Sequence, residues 1–312
     1  MDYRKLVNFG KSSLVVTLPK KWTDKYKLSA GDHLLLKEIG KGIIFFPEGI
    51  NSEPNQVTNT IQVDELSKDQ LKRQIITHYI RNTNVLYLSG KTVSEKQENI
   101  RSTLSNLIAF ELIEQNTNRL TVRDFLDMDN LSIKNLVKRI DMILRSMMID
   151  AKQSSGTDET DMITNRDKDI NKLSYLIFRK INYLNMNPSA KREISNTDLI
   201  KYWVLTNHLE TIGDEVKRIA RLFSRLRIAK KSKKLLLNQF EVTSQWYLKI
   251  LGAFYNRDVA IAYRLADEKE NQFNALNDLF NSLSSSPSLI SIHEKLKTII
   301  THLNDIGKLV YN

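Results

Sequence analysis

The sequence predicts a multidomain α+β chain: a turn-rich β segment, a small α/β layer, then a long all-α remainder. Three observations carry this. Eight of the fifteen glycines and prolines fall in residues 1–54, and no proline occurs between Pro54 and Pro188. Residues 57–128 alternate short apolar runs of strand type with stretches of helical period. From about Leu131 onward, apolar residues recur at helical spacing with only brief interruptions. The domains expected are residues 1–50, 57–128 and 131–312, the last in two halves of about 131–229 and 234–312.

Each element follows from its residues. Leu14-Val15-Val16-Thr17-Leu18 is a β-branched apolar strand that stops at Pro19. Lys20 to Tyr26 carries Trp22 and Tyr26 four apart, which suits a short helix with Pro19 at its first position. Ser29-Ala30-Gly31-Asp32 is a turn. Leu34 to Lys37 and Ile43 to Phe46 are strands joined through Gly40 and Gly42, which permit a tight hairpin. Residues 49–57 read as a linker. The order βαβαββ follows: strand 60–63, helix 68–81, strand 84–89, helix 95–110, then a hairpin of 111–114 and 119–123 around Asn116-Thr117-Asn118. That order implies a small α/β sandwich. The remaining apolar periodicity gives helices 131–153, 158–186, 196–229, 234–255, 257–283 and 289–310. Six helices in two sets of three suggest an internal duplication, and the short breaks suggest antiparallel bundles.

Composition narrows the function. The 312 residues are 41% hydrophobic and 27% charged, enough for a packed core and against bulk disorder. Cysteine is absent, which excludes disulfide scaffolds, cysteine-ligated zinc, iron–sulfur clusters and thiol catalysis. A reduced, cytoplasmic compartment fits. The longest apolar runs fall far short of the ~20 residues that span a bilayer. No charged-then-apolar leader opens the chain. The 47 basic residues outnumber 36 acidic ones, net +11, which favours a polyanionic partner. No phosphate-loop or dinucleotide glycine pattern occurs. The five histidines (His33, His78, His208, His293, His302) form no H-x-x-x-H pair, so zinc-enzyme chemistry finds no support.

Two stretches resemble known families. The first is Arg4-Lys5-Leu6, then Gly10-Lys11-Ser12-Ser13-Leu14-Val15-Val16-Thr17-Leu18-Pro19-Lys20-Lys21-Trp22, then Leu28-Ser29-Ala30-Gly31-Asp32. It resembles the AbrB/SpoVT-type swapped-hairpin DNA-binding domain. The resemblance places Arg4 and Lys11 where that family sets basic groups on double-stranded DNA. Two of its helical basic positions fall on Thr23 and Asp24 here, where Lys20, Lys21 and Lys25 could supply the charge instead, and Lys5 beside Arg4 joins the expected DNA-binding set. Physics points the same way. Residues 1–48 hold nine basic and five acidic residues, +4 per chain and +8 per dimer. So short a β segment cannot bury a sufficient core alone, and exchange of hairpins in a homodimer would close it. The bland alternative is a solvated basic face on a dimerisation module.

The second stretch is His208-Leu209-Glu210-Thr211-Ile212-Gly213-Asp214-Glu215-Val216-Lys217-Arg218-Ile219-Ala220, preceded by Arg166-Asp167-Lys168-Asp169-Ile170-Asn171-Lys172-Leu173. It resembles the signature helix of PhoU domains and its partner. With the α/β segment between them, the two resemblances are similar to archaeal phosphate-uptake regulators.

Glu210 and Asp214 lie four apart on one helix face, and like charges there repel unless a cation intervenes. Asp167 and Asn171 have the same spacing on the preceding helix. Facing helices would present four oxygen ligands to a hard divalent or trivalent metal such as Mg, Mn, Ca or Fe. Salt bridges to Lys217 and Arg218 are the other reading. Gly213 would allow close helix approach. In the second half, Lys297 and Thr301 stand at the positions matching Glu210 and Asp214, so a full second cluster is not expected. Residues 217–234 carry nine basic residues and no acid, either a helix C-terminal bias or a second anion site.

The expected function is a DNA-binding transcription regulator of phosphate uptake and not an enzyme. The alternative is an adaptor that restrains a phosphate transporter or sensor, with the N-terminal domain used for dimerisation.

Overall fold

A computed structural model describes residues 3–10, 13–39, 42–47, 57–153, 157–187, 194–283 and 286–311. The chain divides into two compact units, Met1–Gln56 and Val57–Asn312.

In the first unit, β1 (Val7–Phe9) pairs antiparallel with β2 (Ser13–Val15), Asn8 opposite Leu14. The expected strand 14–18 is shorter, because the ladder ends with β1 at the Val7–Val15 pair. Gly10 has φ 69°, which suits a residue without Cβ. In α1 (Lys20–Lys25), Pro19 is the N-cap rather than the first helical residue, and its carbonyl accepts the N–H groups of Trp22 and Thr23. Trp22 and Tyr26 pack with ring centroids 5.5 Å apart. The Ser29 N–H donates to the Asp32 carboxylate at 2.7 Å, which fixes the expected turn. β3 (Leu34–Ile39) and β4 (Gly42–Pro47) form a second hairpin with Ile39 opposite Gly42, and its tip lies outside the described residues. None of the described side chains of this unit is buried. Leu6, Phe9 and Leu14 are 65%, 70% and 61% exposed.

The second unit opens with the expected βαβαββ order: β5 (Thr58–Gln62), α2 (Lys68–Ile80), β6 (Val85–Ser89), α3 (Val93–Leu104), β7 (Phe110–Asn116) and β8 (Arg119–Asp124). The sheet runs β5-β6-β8-β7, with β5 and β6 parallel across the α2 crossover and the other pairs antiparallel. A capping box starts α2: Gln70 N–H donates to Ser67 Oγ, and Ser67 N–H to Gln70 Oε1. Leu71, Ile75 and Tyr79 share one face and join Leu86, Leu88, Phe110 and Val122 in the core of this layer. The expected helix 95–110 ends at Leu104. Leu107 is buried in a turn instead, and Ala109 takes the left-handed φ of 57° that redirects the chain into β7.

Seven helices follow among the described residues: α4 (Ile133–Gln153), α5 (Thr157–Met186), α6 (Asn196–Arg225), α7 (Lys230–Asn256), α8 (Val259–Asp267), α9 (Lys269–Asn281) and α10 (Pro287–Tyr311). Helices α4, α5 and α6 pack together, and α10 packs on α7, α8, α9 and α6. One continuous apolar core runs through both sets, from Ile133 to Ile306. The expected helix 257–283 is two. Glu268 between them keeps near-helical angles, φ −73° and ψ −13°, so the apolar period passes through the break. Helix α6 ends at Arg225, short of the expected 229, because Leu226 turns extended at ψ 120°. Leu226 and Ile228 still pack on the core, which is why spacing alone read them as helical.

The α/β layer is seated on α5 by a buried polar contact. Arg179, 1% exposed, pairs with Asp124 and donates to Asn82 Oδ1 at 3.3 Å, while Asn82 donates back to the Arg179 carbonyl at 3.2 Å. Asn182 donates to the Ile80 carbonyl at 3.1 Å, and Lys180 to that of Met128. Among the described residues no helix is long and apolar enough to cross a membrane.

Candidate functional site

Helix α6 begins with Ser195 as N-cap, its hydroxyl accepting the Asp198 N–H, and buries Leu209, Ile212, Val216, Ile219 and Phe223. That stripe aims Glu210 and Asp214 toward α5. Gly213 makes the approach close: a Cβ there would lie 3.1 Å from Ile170 Cδ1 and 3.3 Å from Leu144 Cδ2. The sequence-expected role of Gly213 therefore holds. Asp167 on α5, 5% exposed, is brought to the same spot.

A side-chain cation joins these acids. Lys217 Nζ donates to Asp167 Oδ2 at 2.6 Å and to Asp214 Oδ1 at 2.6 Å. Arg218 lies 3.6 Å from Asp214 Oδ2 and donates to Glu215 Oε1 at 2.6 Å. Of the carboxylate pair, Asp214 is thus salt-bridged to Lys217 and Arg218, while Glu210 has no ion pair among the described residues. Among the described residues, Asn171 shares none of these bonds. Burial pushes the Asp167 carboxyl up, against the pull of Lys217. Glu210 is raised too, by burial and then by the negative charges of Asp214 and Asp167. Burial draws the Lys217 ammonium down, but its bonds to Asp167 and Asp214 outweigh that and leave it above its usual value. Asp167, Glu210 and Asp214 offer oxygen donors of the hardness a magnesium-like ion takes, and Lys217 is bonded to two of these three carboxylates.

The basic run divides likewise. Lys217 and Arg218 are paired, and Arg221 donates to Thr164 Oγ1 at 3.0 Å. Among the described residues, Arg225, Arg227, Lys230, Lys231, Lys233 and Lys234 have no ion-pair partner. In the first unit, Arg4, Lys5, Lys20, Lys21 and Lys25 are all exposed and likewise have no ion-pair partner among the described residues, while Lys11 lies outside them.

Sequence reading passed over one association. His208 on α6 and His302 on α10 meet, 94 positions apart, beside Asp305. Only the His302–Asp305 spacing of three, one face of one helix, hints at it in sequence.

The family model described as PhoU domain matches residues 135–223, which fall on α4, α5 and α6. No curated protein matches the chain. Among solved structures, it is similar to PhoU from Pseudomonas aeruginosa, at 18% identity over 57% of this chain and 93% of that one, TM-score 0.47. It is also similar to the phosphate transport system regulatory protein PhoU from Streptococcus pneumoniae, at 16% identity over 57% of this chain and 91% of that one, TM-score 0.47.

Proposed function

We propose that this protein is a non-enzymatic regulator of phosphate homeostasis, a homodimer that binds double-stranded DNA through its first unit. The PhoU-domain match over residues 135–223 carries the phosphate part of the reading. The DNA part is supported by the exposed Arg4, Lys5, Lys20, Lys21 and Lys25, which have no ion-pair partner among the described residues, and by the +4 charge of residues 1–48. The dimer is supported by the exposed Leu6, Phe9 and Leu14, which need a second surface to leave water. Asp167, Asn171, Glu210 and Asp214 remain the oxygen set for a hard divalent or trivalent cation, in competition with Lys217. Such a change in the helical bundle would be coupled to the DNA-binding halves by roughly 1–3 kcal/mol.

The test compares phosphate-transport transcripts and phosphate uptake in cells with and without the protein, at high and low phosphate. Altered transcripts, together with salt-sensitive duplex binding by the purified protein, support the reading. Altered uptake with unchanged transcripts would instead indicate an adaptor acting on a transporter or sensor.

A further inference from the structure

Helices α6 and α10 are the last helices of the two sets, and their seam, largely apolar, carries the Glu215–Lys295 ion pair and, elsewhere, one cluster of metal-ligand type. There His208 Nδ1 and His302 Nδ1 lie 2.8 Å apart, with ring centroids separated by 5.0 Å. Asp305, one turn beyond His302 on α10, completes the group: one ligand-type atom from each residue lies within 4.8 Å of the others. All three side chains are half-buried.

We propose that His208, His302 and Asp305 form a two-histidine, one-carboxylate site for a divalent transition metal, best matched by zinc, that ties the two helical repeats together. This site is separate from the oxygen set around Lys217. Its donors differ in kind: two imidazoles and one carboxylate suit zinc and its first-row neighbours rather than magnesium or calcium.

Three features of the geometry favour a metal. The ligands converge from two helices that the core already fixes, so little ordering is left for binding to supply. Ligands of a tetrahedral zinc, each ~2.0–2.1 Å from the ion, stand ~3.3 Å apart. The two nitrogens therefore need to part by only about half an ångström, a small side-chain rotation. Three protein ligands leave a fourth position for water, a common zinc arrangement.

The electrostatics agree. Burial lowers both histidines, His208 further through His302, so neutral imidazole is favoured over the charged form that repels a cation. Buried Glu215, 7% exposed, is a further negative charge acting on His302, shared with Arg218 at 2.6 Å and Lys295 at 3.5 Å. Lys308 is the opposing cation: it donates to Asp305 Oδ1 at 2.7 Å and must share that carboxylate with the metal.

Without metal, the contact between the two Nδ1 atoms requires one of them to carry a proton. With metal, both Nδ1 lone pairs face the ion and both protons sit on Nε2. One imidazole thus changes tautomer, with no net proton released from the neutral pair.

The experiment uses the full chain stripped with chelator, then titrated with zinc or with cobalt(II). We expect saturable 1:1 binding, an upward shift in melting temperature and the visible bands of four-coordinate cobalt with nitrogen ligands. His302→Ala and His208→Ala should each weaken zinc binding by about tenfold or more. Should either variant fold poorly, Asp305→Asn on the wild-type background and the wild-type cobalt spectrum still decide the matter. No zinc binding by the wild type, or binding that survives both histidine changes, overturns the site and leaves only a hydrogen bond between two histidines.

Discussion

Lys217 reaches two carboxylates at once: its ammonium lies 2.6 Å from Asp167 across the α5–α6 contact and 2.6 Å from Asp214 on its own helix. Asp167 is 5% exposed, so its charge depends on that ammonium. Lys217→Met keeps the aliphatic stem and removes the cation. We expect it to destabilise the helical unit by about 3–5 kcal/mol, the range for leaving one buried charge unpaired. Asp167→Asn added to it should recover part of that stability. Denaturant midpoints of the two variants check this. If an oxygen-ligated cation competes with Lys217, magnesium or manganese should stabilise Lys217→Met more than the wild type.

A second buried pair joins the α/β layer to α5. Arg179 pairs with Asp124 at 1% and 5% side-chain exposure and also stacks over Tyr79, 4.5 Å from the ring centroid. Arg179→Ala removes the charge and the stacking, and it leaves Asp124 unpaired. The expected destabilisation is about 3–5 kcal/mol. Arg179→Ala with Asp124→Ala should cost less than the sum of the singles, since the pair is coupled. Hydrogen exchange should speed first in α2 and β8, whose packing on α5 this residue organises. Equal acceleration throughout α4–α10 would show instead that the layer is not separately anchored.

Much of this architecture was legible because local rules and packing agree. The βαβαββ order could be read because strand and helix periods differ and Asn116-Thr117-Asn118 mark a hairpin, which the structure narrows to the two residues between paired Asn116 and Arg119. The Asp167–Glu210–Asp214 grouping was legible from spacings of four on adjacent helices. Which cation joins them was not, because Lys217 offers a salt bridge in sequence whether or not a metal binds. The end of α6 at Arg225 and the break at Glu268 were hidden because the apolar spacing continues through both. His208 and His302 were invisible as a pair because only tertiary packing brings α6 and α10 together.

Asp64 supplies a cap that α3 lacks in its own sequence. The N–H of Thr92 donates to Asp64 Oδ1 at 2.9 Å and its hydroxyl at 3.0 Å, while Thr92 itself makes no side-chain cap. The carboxyl is held below its usual value, first by the Thr92 N–H and then by that of Lys91. A lowered folded pKa means that the charge stabilises above the unfolded value of about 3.9. That contribution disappears as pH falls through the folded value. Asp64→Asn should therefore be less stable than the wild type at neutral pH, and the gap should close in acid. A gap independent of pH would mean that the charge is not what stabilises the cap.

Gly90 faces the same carboxylate. Its φ of 152° is one that side-chain-bearing residues rarely adopt, and a Cβ there would overlap Asp64. We expect Gly90→Ala to destabilise by ~1–3 kcal/mol through backbone strain and crowding. With Asp64→Ala the clash with the carboxylate is removed but the strain and the 3.0 Å approach to Val63 Cγ2 stay, so the double variant should recover only part. Thermal melts of the three proteins separate the two contributions.

The first unit yields the last prediction. β1 and β2 pair within one chain, yet every residue of both strands is exposed, with Phe9 at 70% and Leu14 at 61%. Apolar strands left in water attract another sheet edge or apolar face. If a second copy covers them, the full chain sediments as a dimer at micromolar concentration. Phe9→Asp with Leu14→Asp should then give a monomer, because each association would bury several carboxylates without partners. The helical unit has its own core, so its circular dichroism and melting should not change. Duplex binding should weaken as well, since the monomer presents half the basic groups. On the dimer, Arg4→Ala or Lys20→Ala should flatten the slope of log affinity against log salt by about 0.9 for every phosphate no longer neutralised. Three arms thus give distinct readings. A wild-type monomer refutes the dimer. A dimer that survives both aspartates places the interface elsewhere. A dimer with an unchanged salt slope in Arg4→Ala and Lys20→Ala keeps the first unit as a dimerisation module and removes those residues from DNA binding.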